Sequence, residues 1–115
     1  MDSESLKATE AYSAARATHP RVSLDDMKAK IAGEHYLTAG AALKALGHPT
    51  HDSFDLLTIC LLVMTNGFTV IGKSAPTSPE NFDAEKGRLF AYEDAIKQLW
   101  PLEGYALRER LSGQA

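Results

Sequence analysis

Polar and aromatic residues cluster between positions 73 and 92, and their types suit the binding of an anion. Lys73 and Ser74 end an apolar run, and Ser78 follows a short linker at the expected start of a helix. Where a strand end meets a helix N-terminus, backbone N–H groups, hydroxyls and a cation can all point at one phosphate, and a nearby ring can stack on a base. The residues that predict this ligand-binding site are Lys73, Ser74, Ser78, Asn81, Phe82, Arg88 and Tyr92.

The same cluster also has a purely structural interpretation. In that reading Ser78 only caps the helix, Phe82 lies in the core, and Lys73 and Arg88 are solvated. The sequence leaves both interpretations open.

Other chemically capable residues do not form a catalytic or metal-binding pattern. Cys60 lies inside an apolar run, where a thiol is expected to be inert. One loop holds four residues of metal-ligand types, with no second cluster to complete a tetrahedral set: His48, His51, Asp52 and Asp55. We therefore predict no catalytic residues, no metal and no cofactor, and a non-enzymatic protein.

The bulk properties describe one ordinary soluble domain. The chain has 115 residues, of which 44% are hydrophobic, and a net charge of -3. A protein that coats nucleic acid normally carries a strongly basic face, so the net charge disfavours nucleic acid as a partner. The longest apolar stretch, residues 56–64, is about half of what a membrane helix needs. A lone cysteine and an acidic, polar N-terminus favour the cytoplasm.

A β-hairpin is the strongest structural signal. Asn66-Gly67 separates two apolar runs, about 56–65 and 68–74, and this pair favours a two-residue turn. Such a turn predicts that Val63 faces Val70 and that Leu61 faces Gly72. The first strand is apolar on both faces, so both need cover, one by helices and the other by a subunit contact. One face turns polar towards Thr58 and Lys73, which is a hint of an interface or a ligand edge.

A long helix is predicted to follow the hairpin, over about 79–99. Ser78 suits the N-cap and Pro79 the first helical position, whereas Trp100-Pro101 is expected to end the helix before a last short helix over 102–111. Gly87, Ala91 and Ala95 recur every four residues, which gives the helix a ridge of small side chains. That ridge allows a close approach to a sheet or another helix.

The first half of the chain has weaker signals. Residues 3–18 indicate a helix with few apolar side chains to anchor it. We therefore predict a mobile helical segment over 1–20 and a single domain over 21–115. Ser23 suits the start of a second helix, with Gly33 as its terminator. A short strand over 34–38 and a helical turn or loop over 39–46 follow. The expected fold is α+β, a small antiparallel sheet centred on the hairpin and packed against the long helix.

Three segments carry a resemblance to a known family. They are 66–74 (NGFTVIGKS), 78–88 (SPENFDAEKGR) and 99–105 (LWPLEGY). Together they resemble a family of small tailed-phage and prophage proteins named after gene 49 and gene 66 of two coliphages. The resemblance implies phage origin and a place in the host cytoplasm, without a particular biochemical role. Lys73 departs from the acidic residue typical of the family, so the resemblance supplies no role for it.

The function expected from these observations is that of a phage accessory protein. We expect a homo-oligomeric binding protein that counters a host defence or host process by binding a small anionic, nucleotide-like ligand or a host protein. The alternative is a nucleic-acid-associated phage regulator of transcription or replication. A small nucleotide hydrolase and a virion component are further, less favoured, readings.

Overall fold

The protein is a three-stranded antiparallel sheet covered on one face by a long helix. A computed structural model describes residues 4–16 and 20–113. The strands lie in the order β1-β2-β3, which is their order along the chain. The elements are α1 (Glu4–Arg16), α2 (Leu24–Ala29), β1 (Ile31–Thr38), α3 (Ala39–Ala45), β2 (Thr58–Met64), β3 (Thr69–Ser74) and α4 (Ala84–Ser112). The predicted α+β class, hairpin and long helix are confirmed.

The register of the hairpin differs from the prediction by one residue. Leu62 pairs with Val70 and Leu61 with Ile71, not with Gly72. The loop has three residues instead of two, because the Met64 N–H donates to Phe68 O at 2.8 Å. Gly67 has a φ of 87°, whereas no described non-glycine residue has a positive φ. A type I′ turn needs positive φ at both central residues, so the Asn-Gly pair serves a three-residue loop here.

The new register decides which side chains face the helix. Thr58, Cys60, Leu62 and Met64 point inwards and are buried, and alternate residues of β3 join them. The predicted pairing combined the inward residues of β2 with the outward residues of β3. A slip of one residue exchanges the two faces of a strand, so this error matters for every face assignment.

The long helix starts later than predicted. Pro79–Asn81 forms only a short 3₁₀ turn, and the Ser78 side chain makes no capping hydrogen bond. Phe82 has an extended backbone, with ψ at 128°, so the 3₁₀ turn does not continue directly into the helix. Asp83 is the N-cap of α4, since its Oδ1 accepts from the Lys86 N–H at 3.1 Å. The side chains of serine and aspartate can both cap a helix. Because α4 begins only after the extended Phe82, Asp83 and not Ser78 is its N-cap.

Pro101 does not end the helix, which was also predicted wrongly. α4 continues through it to Ser112. An internal proline removes one hydrogen bond and costs about 3 kcal/mol. Contacts on both sides offset this cost, because Trp100 packs against the core and Glu103 forms an ion pair with Lys30.

The helix and the sheet approach closely at the small-residue ridge, as the sequence predicted. A Cβ on Gly72 would lie 2.6 Å from Ala95 N and would also clash with the Ala91 carbonyl oxygen. A Cβ on Gly87 would lie 2.7 Å from Thr58 Oγ1. Both glycines are therefore required by close packing. The core forms around this contact from α2, the sheet and α4, with Met27, Cys60, Ala91, Ala95 and Ile96 all fully buried.

The N-terminal helices are attached to this core. Ser23 caps α2 as predicted, but α2 ends at Ala29 and Gly33 lies inside β1, so Gly33 is not its terminator. Glu10 on α1 forms an ion pair with Arg21 at 2.9 Å and accepts from the Leu24 N–H. The helix expected over 3–18 is confirmed across α1, while residues 3, 17 and 18 lie outside the described range. The expected mobility of 1–20 stays a prediction.

Substitution of Gly72 by alanine tests the close approach. We expect Gly72→Ala to destabilise the fold by about 1–3 kcal/mol, because the methyl group would meet helix backbone that has no room to shift. Gly104→Ala is the matched control, since nothing lies within 4 Å of a Cβ there. In a helix interior it should stabilise by up to about 1 kcal/mol. Urea unfolding of both variants decides; equal effects would contradict the packing argument.

The attachment of α1 should depend on pH. The Arg21 guanidinium, through a hydrogen bond, holds the pKa of Glu10 below its usual value, and the Leu24 N–H adds to this. A lowered folded-state pKa stabilises the fold above the ordinary carboxyl pKa, and this stability is lost as the pH falls below about 4.3 towards the folded-state pKa.

We expect Glu10→Gln to flatten this part of the pH–stability curve. Arg21→Gln should flatten it in the same way, because it removes the other member of the ion pair. Thermal unfolding between neutral and acidic pH measures both. If Glu10→Gln has the same stability as wild type at every pH, the ion pair between Glu10 and Arg21 is not the cause of the acid dependence.

Candidate functional site

A small pocket lies between the sheet and the first turns of α4. It forms where β1 ends and β2 begins, since Thr38 and Thr58 are opposite each other in the sheet. Phe82 and Arg88 close it from the helix side. Its volume is about 110 Å³, and it is lined by Tyr36, Leu37, Thr38, Thr58, Phe82, Ala84 and Arg88.

Two polar groups in this pocket have no partner among the described residues. Thr58 is only 3% exposed, yet no hydrogen bond is made by its hydroxyl within the described chain. Arg88 is half-buried and forms no ion pair or hydrogen bond with any described group. Buried hydroxyls and half-buried cations are normally satisfied. Their convergence in one pocket makes it the candidate functional site.

The other two polar groups are oriented by neighbours. Thr38 Oγ1 accepts from the Ala41 N–H at 3.3 Å, at the start of α3. The Tyr36 hydroxyl donates to Glu34 Oε2 at 2.8 Å. Burial and the adjacent Glu34 carboxylate raise the pKa of Tyr36 far above its usual value. The phenol therefore stays protonated at physiological pH.

Cys60 lies next to Tyr36 in the sheet and is fully buried. Burial raises the pKa of its thiol. A thiol that stays protonated is a poor nucleophile, as the sequence predicted.

A second pocket lies on the other side of the α4 N-terminus. Its volume is about 250 Å³, and Ser74, Asn81, Lys86 and Phe90 are among its lining residues. Asp83 also lines it, so a carboxylate competes there with any anion. Gly87 contributes to this pocket and packs against Thr58 of the first one.

The structure divides the seven predicted site residues. Phe82 and Arg88 share the first pocket, and Ser74 and Asn81 share the second. Lys73 is exposed, and its backbone N–H donates to Asp94 Oδ2. Ser78 lines neither pocket.

Tyr92 is 1% exposed and lies in the core, where its ring cannot stack on a ligand. Its assignment to the site is therefore corrected. The cause is its helical position, one turn beyond Arg88, on the side of α4 that meets the sheet.

Tyr36, Thr38 and Thr58 were missed because sheet pairing brings them to the site from strands well before the predicted cluster. Only Thr58 gave a signal, as a polar residue at one end of an apolar strand. No group of three or more histidine, cysteine or acidic side chains is arranged for a metal within the described part of the chain. Nor does any described helix have the length and apolarity to cross a membrane.

The fold and pocket define a small α+β domain in which one long helix covers one face of a three-stranded sheet. A family model described as "Phage protein (N4 Gp49/phage Sf6 gene 66) family" matches residues 22–111. The chain belongs to this phage protein family, as the resemblance implied. No curated protein and no solved structure matches the chain. α1 lies outside the matched region.

Replacement of Thr58 by valine tests whether its hydroxyl lacks a partner. Valine keeps the branched shape and removes the polar group, and an unsatisfied buried hydroxyl costs about 1–3 kcal/mol. We expect Thr58→Val to raise the free energy of unfolding by about 1 kcal/mol. The exposed Thr77→Val should stay within about 0.5 kcal/mol of wild type. A destabilised Thr58→Val protein would show that the hydroxyl is already bonded.

Proposed function

We propose that this phage protein is a non-enzymatic binding protein that holds an anionic group in the pocket between Thr58 and Arg88. The observation that carries the proposal is the pairing of a half-buried guanidinium with a buried hydroxyl, neither of which has a described partner. Guanidinium groups bind phosphate and carboxylate through paired N–H donors. The Thr58 hydroxyl supplies a further donor at the pocket's inner wall.

The start of α4 favours the same charge. Ala84, the first residue of this 29-residue helix, lines the pocket. Helix N-termini carry a partial positive charge of about half a unit. Asp83, which neutralises part of it, lines the second pocket instead. The net charge of -3 means that anion binding must come from such local groups.

The size of the pocket limits what enters it. About 110 Å³ is below the roughly 300–1,000 Å³ of sites that enclose a whole small molecule. One phosphate or carboxylate group therefore enters, and the remainder of the ligand lies outside. Phe82 lines the pocket and is half-buried, so its ring is available to a base or another flat group. A nucleotide-like ligand fits these requirements.

A protein of this kind acts by capture. Phage accessory proteins that sequester a small anionic signal withdraw it from the host process that uses it. We propose that this protein counters a host defence or host process in the host cytoplasm in this way, without chemical change to the ligand.

Native mass spectrometry of the protein purified from phage-infected cells is the direct test. We expect a reproducible added mass of nucleotide size on wild type. Arg88→Gln should lose it, because removal of a charge-assisted contact costs about 1.5–3 kcal/mol, or roughly 10- to 150-fold in affinity. Arg108→Gln removes the same charge from an exposed position on the same helix and should keep the added mass.

Thermal unfolding with the identified ligand provides the second measurement. At one hundred times its dissociation constant a ligand stabilises by about 2.7 kcal/mol. That corresponds to a rise in Tm of roughly 10 °C for a domain of this size. Equal binding by Arg88→Gln and wild type would exclude this pocket. If the protein from infected cells carries a bound host protein and no added ligand mass, capture of a small ligand is wrong and the function is binding of a protein partner.

A further inference from the structure

The loop between β2 and β3 holds an asparagine that is followed directly by glycine. Thr65, Asn66 and Gly67 are all exposed, and nothing lies within 4 Å of the place that a Cβ on Gly67 would take. The backbone nitrogen of the residue after an asparagine can attack its side-chain amide, and glycine has no side chain to hinder that attack. Asn66 is therefore a candidate site of covalent modification that requires neither an enzyme nor a cofactor.

The reaction at such a pair is deamidation through a cyclic imide. The Gly67 nitrogen gives up its proton and bonds to Asn66 Cγ, and the side-chain amide leaves as ammonia. Water then opens the imide at either of its two carbonyl carbons. Opening at one carbon gives aspartate at position 66. Opening at the other gives isoaspartate, in which the backbone runs through the former side chain and is longer by a methylene group. Water is the only co-reactant, and nothing is oxidised or reduced.

Two hydrogen bonds in the folded loop decide whether this reaction can start. The Gly67 N–H donates to Met64 O at 2.8 Å, which keeps the proton on the nitrogen that must attack. The Phe68 N–H donates to Asn66 Oδ1 at 3.0 Å, which fixes the orientation of the side chain. The second bond also polarises the amide carbonyl, but a nitrogen that keeps its proton cannot attack it. The folded loop therefore opposes the reaction, and opening of the loop releases both groups.

We propose that Asn66 is a deamidation site that the folded hairpin protects, so that its modification follows opening of the loop. Exposed loops open locally at a lower free energy than the whole domain. Asn66 lines a third pocket of about 220 Å³, which Glu103 also lines, so aspartate at position 66 adds a second negative charge there. Isoaspartate instead lengthens the loop that joins β2 to β3. This inference is independent of the anion pocket.

Peptide mapping by mass spectrometry tests the protection in the full chain at mildly alkaline pH. Deamidation changes the mass of a peptide because OH replaces NH₂, and chromatography separates the two products. We expect Asn66 to convert at least about tenfold more slowly in the folded protein than in guanidinium chloride, since unfolding releases both hydrogen bonds. Asn81 is the internal control, because the Phe82 side chain hinders attack, and it should convert slowly in both states. Equal rates at Asn66 in the two states would overturn the proposal.

A loop variant tests whether opening of the loop controls the rate. Thr65→Gly keeps the asparagine–glycine pair and every backbone N–H, but it makes the loop more flexible. We expect Asn66 to convert about two- to fivefold faster in this folded variant and at the wild-type rate in guanidinium chloride. Thr77→Gly makes the same exchange in an exposed linker and should leave both rates unchanged. Circular dichroism checks that both variants are folded. A wild-type rate in folded Thr65→Gly would contradict control by the loop.

Discussion

The backbone contact between α4 and the sheet is the constraint on which the rest of the structure depends. Gly72 lets the Ala91–Ala95 turn of the helix approach β3, and Gly87 makes room for Thr58 of β2. These two close contacts restrict how the helix can lie on the sheet. Packing at this distance leaves no room for adjustment, since protein interiors transmit strain instead of absorbing it. The core and the pocket both follow from that position.

The pocket is a direct product of this contact. Arg88 follows Gly87 in the helix, so the close approach carries a guanidinium to the edge of the sheet. The same approach buries Thr58, so that its hydroxyl has almost no access to water and no hydrogen-bond partner among the described residues. A site that leaves polar groups unsatisfied lowers stability, and such costs are typical of positions where function opposes folding. Arg88 is half-buried there, whereas the structural interpretation of the sequence expected a solvated surface residue.

The fold was predictable from the sequence because its signals were local. The Asn66-Gly67 turn between two apolar runs and the spacing of Gly87, Ala91 and Ala95 fixed the hairpin, the long helix and the helix face. The register was not predictable, since an Asn-Gly pair suits loops of two and of three residues. Ser78 and Asp83 have equal cap chemistry, and only the extended Phe82 separates them. Tertiary contacts at Trp100 and Glu103, which local rules do not include, carried the helix past Pro101.

The site was predictable only in part, because local sequence signals do not show which distant segments come together. Phe82 and Arg88 are close in sequence and share a pocket, whereas their partners Tyr36 and Thr38 come from a strand more than forty residues earlier. Tyr92 has the residue type of a stacking platform, but the face it occupies on α4 is the one that meets the sheet. Residue type suggested the chemistry, and the position on a helix or strand decided which side chains can perform it.

Pro101 also divides α4 into two parts that need not open together. Proline has no N–H, so the carbonyl four residues earlier, at Lys97, receives no bond from it, and the hydrogen-bond ladder is interrupted near that position. The part before it packs against the sheet through its buried residues, so we expect its amides to be the more strongly protected. The part after it has mostly partly exposed or exposed side chains. Its amides can exchange through local opening, which gives one continuous helix two levels of hydrogen-exchange protection.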